Sequence, residues 1–276
     1  MARKLIFSKW QAALGGELKL MVSGASALQQ RLTRVFAAAG MPIMEGYGLT
    51  ETSPVTSVNF IEQNGVRGFR VGTVGRIINN VEVKIAENGE ILVKGPNVMQ
   101  GYFKDPEKTA EVIKDGYFHT GDKGEIDADG FLRITGRTKE MFKTSGGKYI
   151  VPPLLEGELK QSLFIEQVMV VGENEKMPAA FIQPNFEFIR DWIERKGHKI
   201  GTTCEEIANS QIVIDRIQKE VDQCNKGFGK WEQIKKFKLT PEEWSIDAGH
   251  LTPTMKMKRA VIKEIYKELY ENIYRG

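Results

Sequence analysis

Four turn dipeptides in the middle of the chain restrict its fold more than any other feature. They divide residues 71–137 into short segments: Asn88-Gly89, Gly95-Pro96, Asp115-Gly116 and Asp129-Gly130. Strand-forming runs lie beside these turns, at residues 81–85, 90–93, 124–127 and 131–135. Asn-Gly and Asp-Gly turns join antiparallel strands in tight hairpins. The pattern predicts a small antiparallel barrel or sandwich, interrupted by one short helix at residues 106–113.

The region before residue 65 has the pattern of a parallel α/β unit. We predict a helix at residues 3–14, a strand at 18–22, a helix at 28–39 that Gly40 ends, and a strand at 42–44. Parallel strands need a crossover helix between them, and their carboxyl ends are the usual place for ligand-binding turns. The turns that follow these strands are therefore the first candidates for a site.

The region after residue 138 is predicted to be a compact α+β domain. Strands are expected at residues 167–171 and 179–183, and helices at 186–196, 213–224 and 259–273. Two of these helices carry apolar stripes with helical spacing: Val213, Ile217 and Val221 in one, and Ile262, Ile265, Leu269 and Ile273 in the other. Core packing explains such stripes more simply than a partner helix does.

Composition excludes some classes of protein and leaves others open. The chain has 276 residues and a net charge of +3, which gives no support for a nucleic-acid partner. No stretch reaches the roughly 18 apolar residues of a membrane span, although peripheral contact with a membrane surface stays open. The start of the sequence lacks the pattern of a signal peptide. Cys204 and Cys224 are isolated from each other and from any histidine. This favours free thiols in a reducing compartment over a disulfide or a metal site. We predict a cytoplasmic location.

The stretch Glu45-Gly46-Tyr47-Gly48-Leu49-Thr50-Glu51-Thr52 carries the strongest chemical signal. Glycines allow a ligand to approach the backbone closely, and a tyrosine ring offers a flat face to a base. A threonine hydroxyl can hydrogen-bond phosphate, and a carboxylate can hold magnesium. The set suits a magnesium nucleotide, and a glycine-rich turn that merely closes a strand is the alternative.

Several blocks of the sequence, taken in order, resemble the adenylate-forming superfamily of acyl-CoA synthetases, luciferases and peptide-synthetase adenylation domains. The blocks are Val22-Ser23-Gly24-Ala25-Ser26-Ala27-Leu28, residues 45–51, residues 89–102, Tyr117-Phe118-His119-Thr120-Gly121-Asp122, residues 136–140, residues 143–150 and Leu251-Thr252-Pro253-Thr254-Met255-Lys256-Met257-Lys258-Arg259. The resemblance covers essentially the whole chain, and residues 46–54, 143–149, 184–187 and 251–256 look most like the long-chain fatty acyl-CoA synthetase branch. It implies the C-terminal part of that fold: a partial parallel sheet (1–64), a small β-barrel (65–137) and a mobile α+β domain (138–276).

The resemblance also implies roles for particular residues. Those expected around the adenine are Gly24, Ala25, Ser26, Gly46, Tyr47 and Gly48. Thr50 matches a phosphate contact, Glu51 the magnesium ligand and Asp122 the aspartate that binds both ribose hydroxyls. Arg137 matches an arginine near the ribose and phosphate. The alternatives are a turn cap for Asp122 and a surface salt bridge for Arg137.

Three further residues match the mobile part of the family. Lys256 resembles the lysine that reaches the acyl carboxylate and the α-phosphate, with Lys258 as its competitor and a plain basic segment as the alternative. Lys139 resembles the hinge between the two domain orientations. Gly146 would line the path of the coenzyme A arm, unless residues 145–147 form only a hairpin turn.

One family feature is absent from the sequence. The Ser/Thr/Gly-rich phosphate loop, which the superfamily carries upstream of the block near Ser23, has no counterpart in residues 1–22. We therefore interpret the chain as the C-terminal portion of a long-chain fatty acid–CoA ligase that uses ATP, Mg²⁺ and coenzyme A, and expect the portion alone to be inactive. The alternatives are another ligase branch, for aryl or short acyl acids, and a non-catalytic nucleotide- or acyl-binding module. Exposed strand edges of an incomplete sheet would favour self-association.

Overall fold

The computed structural model describes residues 3–63 and 65–275. The chain divides into two compact units, Met1–Lys139 and Glu140–Gly276. The division falls inside a short 3₁₀ turn, Thr138–Glu140. The predicted hinge residue Lys139 lies in this turn, and its side chain is outside the described part of the structure. The boundaries proposed from the sequence, at residues 64 and 137, stay predictions.

The first unit begins with the predicted parallel α/β segment. A π-helical turn (Arg3–Phe7) leads into α1 (Ser8–Ala13), and β1 (Met21–Ser23), α2 (Gln30–Ala38) and β2 (Ile43–Tyr47) follow. Strands β1 and β2 pair in parallel, with Ser23 opposite Glu45, which confirms the prediction. Strand β2 continues three residues beyond its predicted end, so that Tyr47 belongs to the strand rather than to the turn.

Short strands complete the sheet that contains β2. A 3₁₀ turn, Thr50–Thr52, separates β2 from β3 (Ser57–Val58), and β6 (Arg76–Ile77) pairs with β3 to give the order β1-β2-β3-β6. Between them β4 (Phe60–Gln63) and β5 (Val66–Gly68) form a separate hairpin. The carboxyl end of β2 thus leads directly into the turn that holds Thr50 and Glu51.

The rest of the first unit is the predicted antiparallel sheet. Its elements are β7 (Glu82–Ile85), β8 (Glu90–Lys94), α3 (Pro106–Val112), β9 (Ile113–Lys114), β10 (Tyr117–Ile126) and β11 (Leu132–Arg137). The strand order is β11-β10-β8-β7, with β9 on β10, and pairing among the described residues forms an open path. The side chains of Ile91, Val93 and Leu132 are fully buried and form its core.

The second unit packs helices on both faces of a three-stranded sheet. Its elements are β12 (Phe142–Lys143), β13 (Tyr149–Ile150), α4 (Pro152–Leu159), β14 (Ile165–Val171), β15 (Ala179–Pro184), α5 (Phe186–Lys196), α6 (Cys204–Asn209), α7 (Gln211–Asn225), β16 (Lys236–Leu239), α8 (Arg259–Ile265) and α9 (Lys267–Tyr274). Strand β15 is central, antiparallel to β14 and parallel to β16. Since successive strand residues point to opposite faces, Ile182 enters one core and Phe181 the other.

The predicted apolar stripes meet these cores in different ways. Val213, Ile217 and Val221 are completely buried, as predicted for α7. Helices α8 and α9 together cover the helix predicted at residues 259–273, with a break at Tyr266 that the sequence did not predict. Ile262 and Ile273 of this stripe are buried, whereas Ile265 is 43% exposed. Within the described residues, no helix combines the length and the apolar character that crossing a membrane requires.

Candidate functional site

The carboxylate of Asp122 is the centre of a buried hydrogen-bonded group in the first unit. Its side chain is only 4% exposed. The hydroxyl of Tyr47 donates to Oδ2 at 2.8 Å, and Nε of Arg137 donates to Oδ1 at 2.6 Å. Three residues separated by 75 and 15 positions along the chain are thus brought together, and all three were named from the sequence.

Strand pairing explains why Arg137 meets Asp122. The two residues are directly opposite each other in the antiparallel register of β10 and β11. Side chains at such positions lie within reach of each other, and opposite charges there are favourable. Arg137 lies at the last position of β11, and its side chain is half-exposed. The guanidinium therefore spans from the buried carboxylate to the surface.

An irregularity in β10 places the carboxylate at this position. Against β8, His119 pairs with Leu92 but Lys123 pairs with Glu90, so that β10 carries two extra residues. The extra segment is held by the Thr120 hydroxyl, which donates to a backbone carbonyl of β8 at 2.8 Å. The amide of Gly121 donates to the Glu90 carboxylate at 2.9 Å, and Gly121 has φ 71°, a left-handed conformation that favours glycine.

The surroundings fix Tyr47 as a hydrogen-bond donor. Burial raises the pKa of Tyr47 well above its usual value, and the negative charge of Asp122 raises the pKa further. The phenol therefore keeps its proton across the working pH range. Among the described residues, each carboxylate oxygen of Asp122 accepts one hydrogen bond, and a carboxylate oxygen can accept two. Asp122 thus keeps the capacity to accept hydrogen bonds from two further hydroxyls.

The turn after β2 is shaped by a close approach at Gly48. A Cβ atom added there would lie 1.6 Å from the carbonyl oxygen of Pro54, so that only glycine fits. Next, the Thr52 hydroxyl accepts a hydrogen bond from the Leu49 amide at 2.9 Å and fixes the 3₁₀ turn. The Thr50 side chain is exposed, and among the described residues its hydroxyl has no hydrogen-bond partner. That hydroxyl is available to a ligand.

The carboxylate of Glu51 is held by a tyrosine from a distant loop. The hydroxyl of Tyr102 donates to Oε1 of Glu51 at 2.9 Å, and the Met99 amide donates to the Glu51 carbonyl at 2.8 Å. Burial raises the pKa of Tyr102, and the Glu51 charge adds to the shift. Among the described residues, the other oxygen of Glu51 accepts no hydrogen bond.

The donor set around Glu51 suits magnesium only in part. The described residues contain no group of three or more His, Cys, Asp or Glu side chains that would hold a metal by themselves. Magnesium commonly binds through one or two carboxylates, with substrate phosphates and water supplying the other ligands. One carboxylate beside an exposed threonine hydroxyl fits that mode of binding, and it would require a phosphate ligand.

The loop after β1 comes next to β2, as the parallel pairing requires. A Cβ atom at Gly24 would lie 3.6 Å from the Gly46 carbonyl oxygen, which is ordinary contact. Ala25 has φ 68°, an unusual conformation for a residue with a side chain. Ala25 and Ser26 are exposed. Four of the residues expected around a base therefore lie along one short edge.

Gly146 and Lys256 belong to the second unit. Gly146 lies in the turn between β12 and β13, and a Cβ atom there would meet only the Thr144 hydroxyl oxygen, at 4.0 Å. The side chain of Lys256 is exposed. Its backbone N–H donates to the Thr252 hydroxyl at 3.0 Å. Residues 145–147 form the hairpin turn that the sequence left open as an alternative, and Lys256 follows a turn in which the Met255 amide donates to the Thr252 carbonyl at 2.8 Å.

Comparison with known proteins decides the family. Residues 1–103 match the model of the AMP-binding enzyme family, and residues 140–276 match that of the AMP-binding enzyme C-terminal domain. This chain belongs to the AMP-binding enzyme family. The two matches follow each other as the two units of the chain do.

Curated relatives in the family include long-chain ligases. Long-chain-fatty-acid–CoA ligase FadD15 of Mycobacterium bovis is 38% identical over 271 residues, which cover 98% of this chain and 44% of that protein. Human long-chain-fatty-acid–CoA ligase 1 is 37% identical over 98% of this chain and 40% of its own length. The chain therefore spans less than half the length of the curated relatives it matches.

A solved structure of similar fold is the ATP-bound RpMatB-BxBclM chimera. It has a TM-score of 0.68 and 26% sequence identity, and the alignment covers 91% of this chain and 46% of the chimera. The likeness confirms the adenylate-forming fold predicted from the sequence.

Two residues of this family member escaped the sequence analysis as functional candidates. Glu45 is buried in β2, where its Oε2 accepts from the Leu28 amide at 3.3 Å; burial raises the pKa of Glu45. Tyr102, which holds Glu51, lies 51 residues away along the chain. Both residues lie inside blocks that resemble the family, which was the available signal, but their partners depend on tertiary contacts.

Proposed function

We propose that this chain is the adenylate-binding and lysine-bearing portion of an ATP-dependent long-chain fatty acid–CoA ligase. Such an enzyme joins a fatty acid to AMP with release of pyrophosphate and then transfers the acyl group to coenzyme A. The observation that carries the proposal is the contact of Tyr47, Asp122 and Arg137, three residues expected at a nucleotide. The long-chain relatives support the choice of acyl substrate.

In this proposal Asp122 holds the ribose. Its two oxygens keep acceptor capacity toward two adjacent hydroxyls, while Tyr47 and Arg137 fix the carboxylate from either side. Arg137 would turn its positive charge toward the α-phosphate, because its side chain reaches from Asp122 to the surface. The segments at Gly24 and Gly46 would flank the adenine, since their backbones lie close together.

The turn after β2 is assigned to the phosphates. The Thr50 hydroxyl would donate to a phosphate oxygen, and Glu51 would ligate Mg²⁺ with its free oxygen. Bound magnesium would neutralise charge on the phosphates. Tyr102 would keep the Glu51 carboxylate in place and prevent it from turning to solvent.

The second unit is assigned to the reacting groups and to coenzyme A. Lys256 would neutralise the charge that builds up when the fatty-acid carboxylate attacks the α-phosphate, as a flexible ammonium can. Gly146 would line the path of the coenzyme A arm, and Lys139 would be the hinge at which the units reorient between the two half-reactions.

The proposal extends to location and association. The free thiols of Cys204 and Cys224 support a reducing compartment, and we assign the protein to the cytoplasm, with peripheral membrane contact as the source of its fatty acid. Among the described strands, β1 pairs with β2 alone, and its Val22 is 69% exposed. Such an edge supports self-association.

The test is binding of a non-hydrolysable acyl-adenylate to the purified chain. Palmitoyl-sulfamoyl-adenosine is titrated by calorimetry, with its 2′-deoxy form as a second ligand. We expect binding by the wild-type chain and a loss of about tenfold or more in affinity for Asp122→Asn, because hydrogen bonds to a charged group contribute about 1.5–3 kcal/mol. The 2′-deoxy ligand should bind more weakly to the wild type and lose less affinity with the variant than the parent ligand does, because only its 3′-hydroxyl remains to bond Asp122.

Glu82→Gln is the matched control, since this carboxylate also accepts from a tyrosine hydroxyl but is 52% exposed. It should leave the affinity unchanged. If the folded chain does not bind the analogue, or if Asp122→Asn binds it as tightly as the wild type, the assignment is wrong. A benzoyl analogue that binds more tightly than the palmitoyl one would move the proposal to the aryl branch.

A further inference from the structure

Lys256 lies in the exposed part, residues 253–256, of a loop that is fixed mainly at its two ends. We call residues 250–258 the lysine loop. Inside it, the Thr252 amide donates to the Lys256 carbonyl at 2.8 Å, and the Lys256 amide donates to the Thr252 hydroxyl at 3.0 Å. Within the described part of the chain, the Lys256 ammonium itself has no ion pair or hydrogen bond. Its direction therefore depends on how the loop is anchored.

The first end of the loop is anchored by His250. This side chain is 1% exposed, and its ring centroid lies 6.2 Å from that of Trp244 and 5.9 Å from that of Tyr266. The Ser245 amide donates to its Nδ1 at 3.4 Å. Its carbonyl accepts from the Lys258 amide at 2.9 Å, which closes the base of the loop. The N-terminal end is thus held by aromatic packing and by backbone bonds.

The second end is anchored by a buried ion pair. Arg259 follows the loop and begins α8, and its guanidinium donates twice to Glu156 of α4, at 2.8 Å and 2.5 Å. Oε1 of Glu156 also accepts from the Val170 amide of β14 at 2.8 Å. The Glu156 side chain is 6% exposed, so this carboxylate is almost fully removed from water while three donors satisfy it.

This ion pair is better suited to fixing the orientation of its two groups than to adding stability. A buried ion pair adds little net stability, because desolvation offsets much of the attraction. A forked contact between guanidinium and carboxylate does fix the relative orientation of the two groups in a way that a lysine cannot. Here the fork fixes the first residue of α8, three positions after Lys256.

We propose that the Glu156–Arg259 pair sets the position of Lys256, so that Arg259 and Glu156 are positioning residues for the ammonium in adenylate formation. The inference rests on the function proposed for Lys256. It adds that the lysine is directed through α4 and β14, which lie far from it in sequence. When the pair is broken, the lysine loop should loosen before the rest of the second unit does.

Hydrogen exchange of the 276-residue chain, read by mass spectrometry, tests this directly. In Arg259→Gln, amides of residues 250–258 should exchange about tenfold faster, while those of β15 stay within about twofold, because local opening is separable from global unfolding. Arg259→Lys keeps the charge beside Glu156 but loses the fork. It should give an intermediate acceleration in the loop alone, and it decides the question if Arg259→Gln does not fold.

Arg216→Gln is the matched control. Arg216 forms an ion pair with Glu220 at 2.6 Å in the same unit, and its side chain is 28% exposed, against 29% for Arg259. It should leave the exchange of the lysine loop unchanged. Unchanged loop exchange in both Arg259 variants would overturn the proposal. Equal acceleration of exchange in the loop and in β15 would also overturn it, since the ion pair would then stabilise the whole second unit and not the loop in particular.

The result is separable from the proposed function. Exchange in the lysine loop does not require catalysis, whereas binding of the acyl-adenylate analogue is read at Asp122 in the first unit. Loss of the positioning effect with retained analogue binding would remove only this inference. If the lysine loop loosens in the Arg259 variants but the chain does not bind the analogue, the anchoring of the loop by Glu156 and Arg259 is supported. The role proposed for Lys256 in adenylate formation then fails.

Discussion

Replacing Tyr47 by phenylalanine removes one hydroxyl and leaves a buried carboxylate oxygen of Asp122 without its protein donor. The lost hydrogen bond is 2.8 Å long, and the Asp122 side chain is 4% exposed, so that water cannot easily take over. Hydrogen bonds to charged groups contribute about 1.5–3 kcal/mol. We expect the unfolding free energy of the first unit to fall by about that amount, or about 10- to 150-fold in the unfolding equilibrium.

The chain offers a closely matched control for this change. Tyr117 donates its hydroxyl to Glu82 at 2.7 Å, in the same unit, but the Glu82 side chain is 52% exposed. Water can replace the lost donor there, and Tyr117→Phe should cost no more than about 0.5 kcal/mol. The two substitutions remove the same atom from the same type of contact and differ in burial.

The assay is the urea dependence of hydrogen exchange in peptides from β10, because the two units need not unfold together. Peptides from β15 in the second unit should not change with Tyr47→Phe. A double-mutant cycle with Asp122→Asn should give a coupling of about 0.5–3 kcal/mol, since the two residues are in contact. Equal losses for Tyr47→Phe and Tyr117→Phe would refute the reasoning from burial.

Three further outcomes follow from single positions. Burial raises the pKa of Glu45. Its contribution to stability is therefore complete below the unfolded-state pKa of about 4.5 and is lost as the pH rises through the folded-state pKa. Glu45→Gln should remove this part of the pH dependence of the urea midpoint. Gly48→Ala should lower the free energy of unfolding by about 3 kcal/mol or more, because the new carbon would overlap a carbonyl. Gly146→Ala should change the thermal midpoint little. Equal effects of the two substitutions would contradict the steric argument. Burial raises the pKa of the Cys224 thiol to about 12. At about pH 8, iodoacetamide should therefore label the partly exposed Cys204 at least about tenfold faster than Cys224, as measured by mass spectrometry. Equal labelling rates would contradict this.

Local patterns in the sequence were sufficient where tertiary contacts agree with them. The Asn88-Gly89 turn lies between β7 and β8, and the stripe through Ile217 is buried as predicted. Asp122 and Arg137 were named from blocks of residues, and the register of β10 and β11 explains why they meet. In these places local propensity and the final fold favour the same arrangement.

Other elements depend on contacts that no local pattern contains. Strand β10 was predicted only from residue 124, whereas the strand begins at Tyr117 and accommodates Gly121 in an irregularity. The helix after residue 259 is interrupted at Tyr266, whose ring stacks on buried His250. Helix α4 was not predicted, although a proline such as Pro152 is well tolerated in a first helical turn.

The same limit applies to the candidate site. The hydroxyl of Tyr102 reaches Glu51 from 51 residues away, and Arg259 reaches Glu156 from 103 residues away. Neither pair has a spacing that a sequence pattern would reveal. Both pairs hold a carboxylate in place, and the partner of a carboxylate can be identified only once the strands and helices are assembled.

The irregularity in β10 sets a condition on any attempt to graft this site onto another scaffold. The Asp122 carboxylate is presented by two surplus residues, and these are held by the side chain of Glu90 and by a carbonyl of the neighbouring strand. Copying Asp122 alone into a regular hairpin would therefore lose the two surplus residues and the hydrogen bonds that position the carboxylate. The smallest transferable module is the pair of strands with Glu90 included, and an engineer who shortens either strand by one residue would turn the carboxylate away from Tyr47 and Arg137.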